Sequence, residues 1–101
     1  MIEIRETERF TGWISGLRDS VAKAKIAGRI RRMAFGNFGD VAPVGEGVSE
    51  LRIHYGPGYR VYFIQHGSDV VVLMCGGDKK SQTADIETAK RMAIVIRREL
   101  K

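Results

Sequence analysis

Between residues 48 and 75 the chain carries three apolar runs separated by two short turn signals. That spacing admits little besides a meander of three antiparallel strands. The runs cover residues 48–55, 59–65 and 69–75, and the breaks are Gly56-Pro57-Gly58 and His66-Gly67-Ser68. Residues 70–74 are apolar at every position, which predicts an interior strand covered on both faces. In the first run Arg52 and His54 alternate with Leu51, Ile53 and Tyr55, so a two-residue period sends both basic side chains to one face.

The flanks read as helices. Residues 1–6 alternate Ile2 and Ile4 with Glu3 and Arg5, a short strand. Thr7 then stands as an N-cap ahead of Phe10, Trp13, Ile14 and Leu17 at helical spacing. Gly16 costs that helix about 1 kcal/mol relative to alanine and keeps it short. Asp19 and Ser20 restart the pattern, with Ala22, Ile26, Ile30 and Met33 on one stripe. Lys23, Lys25, Arg29, Arg31 and Arg32 occupy the other faces. Gly36, Asn37 and Gly39 end this second helix, and residues 40–47, punctuated by Pro43, Gly45 and Gly47, read as a loop.

A last helix is expected over residues 83–100, with Asp85 and Glu87 in its first turn and Arg97 and Arg98 in its last, matching the helix dipole. Its main stripe is Ile86, Ala89, Ala93, Ile96 and Leu100. Met92, Ile94 and Val95 lie off that stripe and leave a second apolar contact to be met by the core or by a partner. The expected architecture is a single α+β domain over residues 1–101. It has a small antiparallel sheet (N-terminal strand plus three-strand meander), a two-helix hairpin on one face, and a C-terminal helix.

Several function classes fall away. The single cysteine, Cys75, excludes an internal disulfide and fits a reducing compartment. No segment has the length or apolarity of a membrane span and no leader pattern opens the chain, so a soluble, cytoplasmic protein with no membrane partner is expected. The two histidines lie on different strands and no Cys/His spacing resembles a ligand set, so no metal or other cofactor is expected. Gly76-Gly77 is followed by Asp78 rather than by a phosphate-cradling turn, and nothing positions a Ser/His/Asp triad. The net charge of +5 points to a polyanionic or acidic partner.

What remains is a cluster of cations around one imidazole. Metal-free RNA cleavage needs a group to take the 2′-OH proton, cations for the phosphorane-like transition state, and an acid for the leaving 5′-oxygen. Arg60 suits the second role because guanidinium grips phosphate bidentately. His54 suits the first, since an imidazole titrates near neutrality, and Lys79 or Lys80 is the candidate acid. Arg52 and, more weakly, Gln82 are candidates to position RNA, as are Lys23 and Arg31 on the second helix. Each also has a plainer reading: His54 as a surface residue, Arg60 as the ion-pair partner of Glu50 or Asp69, and the lysines as solvated charges.

Four stretches carry a family resemblance: Glu50-Leu51-Arg52-Ile53, the G-Y-R-V-Y from Gly58 to Tyr62, the G-G-D-K-K-S-Q from Gly76 to Gln82, and the G-N-F-G-D from Gly36 to Asp40. Together they resemble the RelE/ParE superfamily of toxin–antitoxin toxins, and most closely its HigB-like addiction-module-killer branch. The resemblance implies a small antiparallel sheet with helices packed on it. It also implies a ribosome-dependent endoribonuclease that cuts mRNA by 2′-OH attack, and a cognate antitoxin, usually a small helix-turn-helix protein. Arg60 takes the position of the arginine that stabilises the phosphate in flight, Arg52 that of the basic strand residue, and Lys79-Lys80 that of the basic loop. RelE-type nucleases carry a tyrosine shortly after that loop, whereas Ser81-Gln82-Thr83-Ala84-Asp85 contains no aromatic. Two alternatives stay open: a ParE-like gyrase poison on the same fold, and a non-catalytic basic RNA-binding module.

Overall fold

The computed structural model describes residues 1–100. The chain folds as β1 (Glu3–Glu6), α1 (Glu8–Gly16), α2 (Ser20–Ala34), β2 (Val41–Gly45), β3 (Val48–Ile53), β4 (Tyr59–His66), β5 (Val70–Gly77) and α3 (Gln82–Glu99). One five-stranded sheet has the order β1-β5-β4-β3-β2. The β3–β4–β5 meander is antiparallel as expected, while β1 pairs in parallel with β5, Glu3 opposite Val70, so the sheet is mixed. The expected α+β fold is thus present.

The two caps expected at the first helices form. Thr7 Oγ1 accepts from Phe10 N at 3.1 Å, and Asp19 Oδ1 accepts from Val21 N and Ala22 N. Thr7 also donates its hydroxyl hydrogen to the carbonyl of Met74 at 2.6 Å. Met74 is the residue skipped in the β4–β5 register, where Tyr62 faces Cys75 and Phe63 faces Leu73.

The loop expected over residues 40–47 is instead an edge strand and a tight hairpin. Pro43 lies opposite Ser49 and Gly45 opposite Val48, with a bulge between them. Pro43 is tolerated because an edge strand leaves one side of its backbone unpaired. Gly45, Glu46 and Gly47 all take positive φ to close the hairpin.

Alternation sorts the sheet into two faces. Leu51, Ile53, Val61, Phe63, Val71 and Leu73 meet Phe10, Ile26 and Met33 of α1 and α2. Val48, Tyr62, Ile64, Val72, Met74 and Cys75 meet Ala89 and Ala93 of α3 on the other side. Residues 70–74 are buried throughout, the interior strand that an unbroken apolar run predicts. Off the α3 stripe, Met92 joins this second core, whereas Ile94 and Val95 are half exposed.

Gly76 and Gly77 let the helices of both layers close onto the end of β5. A Cβ at Gly76 would run into the Trp13 ring, and one at Gly77 into the Asp85 carboxylate. No helix among the described residues is long and apolar enough to cross a membrane.

Candidate functional site

Most of the sequence-predicted residues gather at one end of the sheet, where β3 ends, β4 begins, β5 ends and α3 starts. Arg52 faces Arg60 across β3–β4, and Arg60 faces Gly77 across β4–β5. Two residues further in, Glu50 faces Tyr62. Since alternate residues share a face, Glu50, Arg52, Arg60 and Tyr62 all project to the α3 side.

Glu50 organises them. Its carboxylate is fully buried and accepts from Arg52 Nε at 3.0 Å, Tyr62 Oη at 3.0 Å and Gln82 Nε2 at 2.9 Å. Arg60 Nε stands 3.5 Å from Glu50 Oε2. Burial by itself would raise the pKa of Glu50. The hydrogen bonds from Arg52, Gln82 and Tyr62, with the charge of Arg60, outweigh that and hold it below the usual carboxylate value. Burial and the hydrogen bond to this anion push the Tyr62 phenol well above its ordinary value. Bonding to Glu50 holds Arg52 more firmly protonated.

Arg60 is the least mobile of the cations. Its side chain is only 13% exposed, and Nη1 donates to the carbonyl of Gly58 at 2.6 Å. Nε is buried and makes no hydrogen bond among the described residues. The basic loop crosses directly above: Lys79 N donates to Pro57 O at 3.3 Å, and a Cβ at Gly58 (φ 79°) would lie 3.1 Å from Arg60 Nη1 and 3.5 Å from Lys79 Cβ. Lys79 and Lys80 are exposed. Their loop is pinned by Ser81, whose N donates to Asp78 Oδ1 at 3.1 Å and whose hydroxyl donates to Asp85 Oδ2 at 2.5 Å.

His54 departs from the expected arrangement. β3 ends at Ile53, and Tyr55 N donates back to Ile53 O at 2.9 Å, a tight turn centred on His54. The two-residue period therefore stops one position short of His54. Arg52 turns to Glu50, while His54 lines a cavity of about 320 Å³ with Lys25, Arg29, Arg32 and Tyr55 on the α2 side. Its Nε2 bonds to Asp40 Oδ2, and that contact first of all lowers the pKa of Asp40.

Lys23 and Arg31 do not join the cluster. Lys23 Nζ donates to Ser15 O at 3.2 Å, and each residue lies two positions from Lys25 or Arg29, roughly 200° around the helix.

Three contributors carry weaker sequence signals. Glu50, weighed only as a counter-ion for Arg60, holds four side chains, and its position two before Arg52 is the signal for a shared face. Asp40, the residue just before β2, reaches His54, a contact no spacing announces. Arg29 sends Nη1 to Arg52 O at 2.6 Å and Nη2 to Phe38 O and Asp40 O at 3.3 Å, tying α2 to β3. A larger cavity of about 500 Å³ at the opposite end of the sheet is lined by Met1, Ile2, Phe35 and Asp69 and brings no cations together. Among the described residues no three His, Cys, Asp or Glu side chains group as a metal site.

This end of the molecule can present fixed positive charge to a phosphate, with a carboxylate-bonded imidazole nearby. A protein of Haemophilus influenzae carrying the description "Uncharacterized protein" is 50% identical over 92 residues, spanning 91% of this chain and 93% of that one. The family described as "Phage derived protein Gp49-like (DUF891)" matches residues 13–101, which include every residue of the cationic cluster and the whole β2–α3 half of the fold. The chain therefore belongs to the Gp49-like phage-derived family, a family of RelE/ParE-type toxins.

Proposed function

We propose that this protein is the toxin of a type II toxin–antitoxin pair, of the HigB-like kind, and that it cleaves mRNA on the ribosome without a metal. Toxins of this family generally pair with an antitoxin. A small helix-turn-helix protein fits the resemblance, and the reading places the toxin in the cytoplasm with ribosomes and mRNA as its other partners. The observation that carries the reading is Arg60. It is a nearly buried guanidinium held between Glu50 and the Gly58 carbonyl, beside the Lys79-Lys80 loop. A cation restrained in this way stabilises a developing phosphorane without reorganising as charge builds, and such fixed charge is usually what lowers the barrier most.

In the proposed reaction a base removes the 2′-OH proton and the 2′-oxygen attacks the adjacent phosphorus. The bond to the 5′-oxygen breaks and that oxygen takes a proton. The products are a 2′,3′-cyclic phosphate and a free 5′-OH. His54 is the proposed base. With Nε2–H donated to Asp40, the neutral ring keeps Nδ1 as its basic nitrogen. Lys79 or Lys80 is the proposed acid, while Arg52 and Gln82 steady the Glu50 anchor behind Arg60.

The test is brief expression in cells followed by primer extension on abundant mRNAs, with Arg60→Ala and His54→Ala alongside. Codon-phased 5′ ends that vanish in a folded Arg60→Ala protein support the ribosomal nuclease. Growth arrest with DNA damage and no new ends would instead establish a gyrase poison. RNA affinity without either phenotype would establish a binding module.

A further inference from the structure

The cavity between α2 and the β3–β4 turn has a feature the cleavage chemistry does not require. Gly28 sits in the interior of α2, where glycine is a poor helix former, and a Cβ there would meet nothing within 4 Å. Its φ is ordinary for a helix, so neither packing nor backbone geometry calls for glycine. Gly28 lines the cavity together with Lys25, Arg32 and His54, and its missing side chain leaves that space open.

The walls are suited to a nucleotide. Lys25, Arg29 and Arg32 follow one another at helical spacing on the face that meets the β3–β4 turn. Lys25 Nζ lies 5.3 Å from the centre of the Tyr55 ring, which fixes the ammonium at the cavity wall. Arg29 is committed to backbone carbonyls and contributes a fixed charge, whereas exposed Arg32 has no side-chain partner among the described residues. Ile53 and Tyr55 supply an apolar surface between the cations. Asp40 is engaged by its contact with His54. Arg29 on the cavity wall donates to the backbone carbonyl of Arg52, itself the cross-strand neighbour of Arg60, so the cavity and the Arg60 cluster adjoin the same end of β3. A strand of RNA with one phosphate at Arg60 would pass over this end of β3 to place a neighbouring nucleotide in the cavity.

We propose that the Lys25–Gly28–Arg32–Tyr55 cavity is a subsite for a nucleotide flanking the scissile phosphate, with the phosphate taken by Lys25 and Arg32 and the sugar and base lying against Tyr55. The proposal rests on the reading of this end of the sheet as RNA-binding, but not on cleavage. The subsite lies on a helix rather than in the loop after β5, where the aromatic residue of related nucleases is missing.

The probe is a fluorescein-labelled, 2′-O-methylated single-stranded oligoribonucleotide of mixed sequence, which binds without being cut. Its affinity for the full chain is measured by anisotropy over a salt series. Gly28→Leu fills the cavity without changing charge, and its melting temperature is expected to equal or exceed that of the unaltered chain. Its affinity for the probe is expected to fall about tenfold, the worth of one charged hydrogen-bonded contact. Arg32→Gln, an exposed change that does not threaten folding, is expected to lower the slope of log K against log salt by about 0.7, one phosphate on a single strand.

Equal affinity of the Gly28→Leu and unaltered chains, including no binding by either, overturns the subsite. So does an unchanged salt slope in Arg32→Gln. If Gly28→Leu lowers antitoxin binding and leaves the probe untouched, the cavity belongs to the protein partner and the proposal is likewise overturned. Loss of probe binding in a chain that never cuts mRNA would keep the subsite and remove the nuclease reading.

Discussion

The hydroxyl of Tyr62 donates to Glu50 Oε2 at 3.0 Å, directly across β3 and β4 and beneath α3, with both side chains fully buried. An anion in that position is stable only because Arg52, Gln82 and Arg60 close around it. The site's strongest cation and its deepest anion are therefore one structural unit. Removing Glu50 leaves Arg60 buried without its counter-charge.

Glu50→Ala is accordingly expected to cost about 3 kcal/mol or more, the usual result of breaking one side of a buried pair. Tyr62→Phe, which removes one hydrogen bond to a charged acceptor, should cost about 1.5–3 kcal/mol. Urea unfolding of both variants measures the difference. A Glu50→Ala chain as stable as the original would mean that the cluster serves positioning alone.

The same cluster sets the pH response. Glu50 has a folded pKa below its ordinary 4.5, so the stability it contributes is present above that value and is lost as pH falls through the lower folded pKa. Tyr62 has a folded pKa above its ordinary 10.0, and Cys75, pushed up by burial to about 11, behaves alike. Their contributions are complete below the ordinary values and decline as pH rises beyond them. Melting temperature against pH should fall at both extremes. Tyr62→Phe should flatten the alkaline limb, and a limb unchanged by that substitution would remove Tyr62 from the explanation.

The glycine pair at the end of β5 makes a packing prediction. Alanine at Gly76 or Gly77 must displace the Trp13 ring or the Asp85 carboxylate, since the added Cβ would overlap them. Overpacking of this kind costs about 1–3 kcal/mol. Thermal unfolding is the measurement. Gly77→Ala should also disturb the Ser81–Asp85 hydrogen bond and with it the Lys79-Lys80 loop.

If Arg60 acts on the phosphate through its fixed fork, Arg60→Lys will not restore cleavage. A flexible ammonium cannot hold Gly58 O and a phosphate together in the same geometry. Loss of about 100- to 1000-fold in the cutting rate is expected for Arg60→Ala and nearly as much for the lysine variant. Asp40→Asn should mimic a weakened His54→Ala, because it removes the negative charge of the acceptor that orients the imidazole. Single-turnover cleavage on programmed ribosomes separates these effects. Full activity of Asp40→Asn would take the pair out of the mechanism.

Much of this architecture is written in local pattern. The meander follows from apolar runs and turn glycines, and the helix starts follow from Thr7 and Asp19, because these depend on neighbours a few residues away. The resemblance to RelE/ParE-type toxins is equally legible, since its motifs are contiguous. β2 escapes that kind of reading: Pro43 and two glycines are the marks of a loop, and only pairing with β3 makes them an edge strand. The mixed character of the sheet escapes it too, because nothing in residues 3–6 specifies a parallel partner in β5.

For the site, sequence alone determined which cations are available and that Arg52, Arg60 and the Lys79-Lys80 loop come to one end of a small sheet. Period-two alternation and hairpin pairing are local, so they survive without knowledge of the rest of the chain. Tertiary structure decided the rest. A one-residue turn at His54 separates it from Arg52 and gives it to Asp40, 14 residues away, and α2 brings Lys25, Arg29 and Arg32 to the same cavity. Glu50 becomes the centre of four side chains only when α3 covers it with Gln82. A buried charge is tolerated only when long-range packing supplies all its partners at once, and that is information no short stretch of sequence holds.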